Sequence, residues 1–125
     1  MSYPFFPPFK TRTVEAGTSS TGSQTITCVV PARAKLISVL VSAGWNQSQT
    51  AAATVDIVTL AALSTAAASA PSTISGLGGL SITTTTGGTF LFTPTGATYV
   101  NQGDIIQMNS TGTACPQMTC ILQEF

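Results

Sequence analysis

The residues able to do chemistry in this 125-residue chain are few. There is no histidine; the carboxylates are Glu15, Asp56, Asp104 and Glu124, the cations Lys10, Arg12, Arg33 and Lys35. Without histidine no Ser-His or Cys-His pair can form, and general-base work would fall to carboxylates. Glu15 and Glu124 lie near the ends, Asp56 falls in mid-strand and Asp104 follows a turn signal. A glycosidase needs two carboxyl groups roughly 5–9.5 Å apart in a cleft lined by sugar-binding groups. Nothing in this spacing predicts one, and Trp45 is the single tryptophan available as a stacking platform. Neither an enzyme nor a cofactor is expected.

Cys28, Cys115 and Cys120 are odd in number and lack C-x-x-C spacing, and no D-x-D-x-D-G calcium loop occurs, so no structural metal is expected. Strand parity groups Cys28 with Ile26 and Val30, and Cys120 with Met118 and Leu122, as small buried hydrophobes. A bridge from Cys28 to Cys115 or to Cys120 stays open. Gly76-Leu77-Gly78-Gly79 has the glycine density of a phosphate loop. It lacks a following helix and a Lys-Ser/Thr pair, and reads as an ordinary loop.

Other residues suit contact better than reaction. Arg33, Lys35, Asp56 and Asp104 have two readings: ion pairs across a subunit boundary, which would set register more than affinity, or solvated strand ends, with Asp104 capping the turn after Gly103. Trp45, in a turn at residues 44–49, is either a contact hot spot or a lid on the core. Residues 1–10 form a segment of their own: Tyr3, Phe5, Phe6 and Phe9 alternate with Pro4, Pro7 and Pro8. Proline fixes φ and removes a donor, so an extended arm is expected. Burying its four aromatics would contribute about 6–12 kcal/mol. Ordering ten residues costs on the order of 15 kcal/mol, less where proline has already restricted the chain. Such an arm binds marginally alone and usefully within an assembly.

The elements that must position these residues are strands. Charged residues make up 6 % of the chain, against about 25 % in ordinary soluble domains. The polar surface is therefore Thr, Ser, Asn and Gln. Thr suits a pleated surface, and a net charge near zero favours association between copies. Four cations displace few counterions, so nucleic acid is not an expected partner. No stretch reaches the ~20 apolar residues of a membrane span. No basic segment followed by an apolar one opens the chain, so export by a signal peptide is not expected.

One domain is predicted, at residues 11–125, behind the arm at 1–10. Strand patterns fall at 11–16, 24–30, 35–43, 54–60, 80–86, 89–93, 97–100, 104–110 and 117–124, with a shorter candidate at 73–75. Residues 61–70 read as a long loop. In 35–43, Ile37, Val39, Val41 and Ala43 form the expected core face, and Phe90 and Phe92 share a face. Gly87-Gly88 between two β runs predicts a hairpin. Eight or nine strands are enough for two packed antiparallel sheets, an all-β sandwich.

Three stretches read together carry a resemblance. They are Val30-Pro31-Ala32-Arg33-Ala34-Lys35-Leu36-Ile37-Ser38-Val39, then Ala53-Thr54-Val55-Asp56-Ile57, then Tyr99-Val100-Asn101-Gln102-Gly103-Asp104-Ile105-Ile106. With its Pro-Ala turn, Thr-Val-Asp-Ile strand and Gly-Asp strand start, the chain resembles small β-sandwich virion proteins of tailed bacteriophages. Capsid decoration (cement) proteins and related head proteins are the closest. The resemblance implies a jelly-roll-like sandwich of about eight strands, often trimeric. Made in the host cytoplasm, it would sit on the capsid surface and bridge subunits of the major capsid protein or another virion protein. The arm would be the clamp onto a neighbour. Two other roles stay open: a receptor- or carbohydrate-binding head-fibre or tail domain, and a subunit of a single-jelly-roll capsid or filament whose strand edges pair between copies.

Overall fold

In a computed structural model, which describes residues 10–17, 23–42, 52–61, 71–83, 89–112 and 116–124, every regular element is a strand. In chain order the strands are β1 Lys10–Gly17, β2 Gln24–Val29, β3 Ala34–Ser42, β4 Ala52–Leu60, β5 Ser72–Thr73, β6 Leu80–Thr83, β7 Thr89–Phe92, β8 Tyr99–Val100, β9 Ile105–Gly112 and β10 Gln117–Glu124. They build two five-stranded antiparallel sheets. The first runs β1-β10-β3-β7, with β8 also on β3; the second runs β2-β9-β4-β5, with β6 also on β4. The inner faces of both meet in one core that includes Ile26, Leu36, Val41, Ile57, Ile106 and Leu122. This is a β-sandwich, as the alternating runs predict.

Period-2 burial explains most strands. β10 turns Met118, Cys120, Leu122 and Glu124 inward and Gln117, Thr119, Ile121 and Gln123 outward. β9 buries Ile106, Met108 and Ser110. β3 departs from the expectation. Its predicted core set began with Ile37, yet Ile37 is 37 % exposed while Leu36 is buried. The cause is a β-bulge: Leu36 pairs with Leu122, Ser38 with Ile121, and Ile37 is the extra residue between them. An extra residue reverses the side-chain parity from that point on. Ala34 and Leu36 therefore face inward before the bulge, and Val39 and Val41 after it. Ala43 lies outside the described residues.

The Gly87-Gly88 hairpin expectation is also corrected. Residues 84–88 are outside the described set, but their flanks settle the pairing. β6 pairs with β4 in the second sheet, and β7 pairs with β3 in the first. The chain therefore passes from one sheet to the other between them, and Phe90 and Phe92 pack against the core from one edge, rings 6.2 Å apart and 9° from parallel. The arm's residues 1–9 lie outside the described set too; Lys10, assigned to the arm from sequence, opens β1 opposite Glu124.

Turns are closed by specific groups. The Asn101–Asp104 reversal has Asp104 N–H donating to Asn101 C=O at 3.0 Å, with Gly103 at φ 88°. Positive φ at the third position is the demand of a type II turn, which glycine meets without strain. The Asp104 carboxylate accepts from Asn101 N–H at 2.8 Å.

Candidate functional site

Both outer faces of the sandwich mix polar groups with outward apolar side chains. On the second sheet, register places Thr25 opposite Asn109 and Asn109 opposite Asp56, with Thr27, Gln107 and Val58 in the next row. Asn109 Oδ1 accepts from Thr25 Oγ1 at 3.2 Å and from Gln107 Nε2 at 2.9 Å. Hydroxyl and amide groups cover this end of the face, but the row beyond is apolar: Val29 pairs with Ile105 and Ile105 with Leu60, and Val29 is 63 % exposed.

The first sheet also turns apolar residues outward. Leu40 pairs with Leu91 on one side and Thr119 on the other, Ile121 pairs with Ser38 beside the bulged Ile37, and Lys35 pairs with Tyr99. All of these but the bulge residue Ser38 face outward, since Val39, Val41, Phe90, Phe92, Met118 and Cys120 supply the core side. Leu91 and Tyr99 are each 61 % exposed. Ile37, Leu40, Leu91, Tyr99 and Ile121 thus lie on the outer face of this sheet, interleaved with Lys35, Thr119 and Gln123. Exposed apolar residues scattered in this way are ordinary on a protein surface. Alternation alone put Ile37 in the core, and that is why sequence reasoning missed its exposure.

The edge of this sheet is guarded. β1 is the outer row of the first sheet and carries Lys10, Arg12 and Glu15, three of the chain's eight charges. Charged edge strands resist pairing with another sheet. Arg12 Nε lies 2.5 Å from Glu124 Oε1, joining the first strand to the last. The contact is ionic, not an aligned hydrogen bond, and that carboxylate oxygen is buried. Neither residue was singled out from sequence, because the pair exists only once β1 and β10 are side by side.

The other predicted site residues fall apart from one another. Arg33 is exposed in the bend before β3, and Lys35 lies on the outer face. Asp56 Oδ1 accepts from Gly79 N–H at 2.6 Å, while Leu77 C=O accepts from Ile57 N–H at 2.9 Å. The 76–79 loop is therefore stitched to β4, with a carboxylate already on its amide. Asp104 caps its own turn, as one of its two readings anticipated. The remaining carboxylate, Glu15, is exposed on β1. Trp45 and the arm aromatics Tyr3, Phe5, Phe6 and Phe9 lie outside the described residues, as does Cys115.

Cys28 on β2 and Cys120 on β10 are free thiols that meet in the core between the sheets. Their hydrogen bond, and then burial, push the Cys120 thiol well above its ordinary range. The same bond draws Cys28 down, against burial and the charge of Glu15. Both are buried hydrophobes, as strand parity predicted.

Among the described residues no three of His, Cys, Asp and Glu group as metal ligands. No helix there is long and apolar enough to cross a membrane. Comparison of the chain with protein-family models, with curated proteins and with solved structures gave no match in any of the three.

Proposed function

We propose that this chain is a non-enzymatic virion structural protein, a capsid decoration module that stabilises a phage shell by non-covalent contacts. The observation that carries the reading is a two-sheet sandwich with large apolar side chains exposed on both outer faces. Val29 on one face and Ile37, Leu91 and Tyr99 on the other would be covered by neighbours in an assembly. Symmetric assembly, with a trimer favoured, would multiply such modest contacts through effective concentration. The carboxylates support a non-catalytic role, since Asp56, Asp104 and Glu124 are engaged by a loop amide, a turn amide and Arg12.

Strand order supports a jelly roll as the finer description. β5 and β6 follow one another along β4, and β7 and β8 along β3. Counted as one row each, they leave eight rows in which first pairs with last, second with seventh, third with sixth and fourth with fifth. That is one long antiparallel ribbon folded across itself, the wrapping of a jelly roll. The charged β1 edge favours a decoration module over a filament built by edge pairing.

The test is the mass of the purified full-length chain across concentration, followed by imaging of where it sits on the virion. A discrete small oligomer at symmetry-related positions on the shell is expected. A monomer at every concentration, or unlimited fibres, overturns the reading.

A further inference from the structure

We propose that Cys28 and Cys120 are an oxidation site, a buried dithiol that closes to a disulfide between the two sheets and takes a small-molecule disulfide as its oxidant. Spacing along the chain does not choose a partner for Cys28. The fold brings Cys120 to it: Cys28 faces inward from β2 of the second sheet, Cys120 faces inward from β10 of the first, and both belong to one core.

Sheet spacing decides whether such a pair can close. Sheets stacked face to face stand about 10 Å apart, too far for a disulfide, whose Cα atoms lie about 4.4–6.8 Å apart. This pair sits where the sandwich draws together. β1 is the outer row of the first sheet and β2 of the second, and their Cα atoms come within 8 Å of each other. Cys120 is paired with Val14 of β1, and Cys28 is on β2 itself. The two thiols already share a hydrogen bond, so the sulfurs need to approach by only roughly 2 Å to reach bonding distance. The surroundings also select the product. A sulfenic acid or a lasting mixed disulfide would put polar atoms among aliphatic side chains, whereas the Cys28–Cys120 disulfide loses two hydrogens and adds none.

The shared bond draws the Cys28 thiol down and pushes Cys120 up, which makes Cys28 the attacking thiolate. β1 holds the core through half-buried Val14 and Ala16, and its local parting from β2 opens the pair. Cys28, its proton released to water, attacks one sulfur of the oxidant and expels a first small thiolate. Cys120 gives its proton to that thiolate and attacks Cys28 Sγ, expelling the second, which takes up the proton from water. Two electrons and two protons pass to the small disulfide, which leaves as two thiols.

The experiment uses the folded full-length chain, incubated with oxidised glutathione or with dithiothreitol, then unfolded in an alkylating agent that blocks every remaining thiol. Cyanogen bromide cuts after methionine, and Met108 and Met118 put Cys28, Cys115 and Cys120 on three separate fragments. Unreduced mass spectrometry is expected to show fragment 2–108 joined to 119–125, with the chain itself monomeric on a non-reducing gel. The oxidised chain should melt on the order of 10 °C higher, and dithiothreitol should reverse the shift. Cys28→Ala and Cys120→Ala should each abolish it, and Cys115→Ala should keep it. Fragment 119–125 found alkylated after oxidation, joined to 109–118, or joined to glutathione overturns the inference. So does a link between two chains, or a melting shift that survives Cys28→Ala. The fragment map is read on the parent chain and decides the matter even where a variant fails to fold.

Discussion

The bulge in β3 makes a prediction that reverses the order simple alternation would assign. Leu36 is buried in the core, and its neighbour Ile37 is 37 % exposed on the outer face. Leu36→Ala removes three carbons at about 0.8 kcal/mol each, roughly 2.4 kcal/mol of transfer free energy. The cavity left in a close-packed core adds about 1 kcal/mol, for a total near 3–4 kcal/mol. Ile37→Ala removes the same three carbons from a site about three-fifths covered, so the loss is about 1.5 kcal/mol. Water fills the space, and no cavity cost is added. The two variants should therefore differ by about 2 kcal/mol, or about 6–10 °C in Tm for a domain of this size. Urea and thermal unfolding followed by circular dichroism, at one low and fixed protomer concentration, measure this directly. Equal losses, or a larger loss for Ile37→Ala, would refute the parity change at Ile37.

Three further predictions follow from groups in the core and at the closing edge. Because the Cys120 thiol holds its proton in the fold, the unfolded chain ionises first above the ordinary value of 9.0. The native state then binds more protons, so stability should fall by up to about 1.4 kcal/mol per pH unit from pH 9 upward. A Cys28→Ala/Cys120→Ala double variant should flatten that slope in urea titrations at pH 8, 9 and 10, because without Cys120 the buried Cys28 would lose the bond that draws it down and be raised by burial in its place; an unchanged slope in the double variant would assign it to other groups. Ser110 Oγ is buried and makes no hydrogen bond among the described residues. Ser110→Ala should accordingly be neutral or stabilising by up to about 1 kcal/mol, and a loss above 1 kcal/mol by chemical denaturation would show a partner. Arg12 is half exposed and Glu124 nearly buried, so Arg12→Ala should cost about 1 kcal/mol. In a double-mutant cycle with Glu124→Gln the two losses should fail to add; strict additivity would deny the pair any energetic role.

A chain with 6 % charged residues relies on hydroxyl and amide groups for much of its polar surface, as where Thr25 and Gln107 donate to Asn109. The charges it has are placed unevenly, with three on the edge strand where unwanted pairing would begin. Little long-range repulsion opposes close approach of copies.

Much of the strand content was legible along the chain, because side-chain alternation is a property of each strand by itself. β10 at Gln117–Glu124 has the bounds its alternation predicts, and β2 and β9 lie within two residues of theirs. The inward placing of Cys28 and Cys120, the shared face of Phe90 and Phe92 and the Asp104 turn follow from local pattern and turn chemistry in the same way. Partner choice is not local. Gly87-Gly88 signals a reversal, but whether β6 meets β7 or each finds a better neighbour depends on β4, about thirty residues upstream of β6, and on β3, about fifty upstream of β7. The bulge at Ile37 likewise arises from how β3 is matched to β10 across eighty residues, and nothing in the run Leu36-Ile37-Ser38 announces it. Strand period could be read from the amino-acid order; sheet membership and the parity switch exist only once distant strands compete for the same edges.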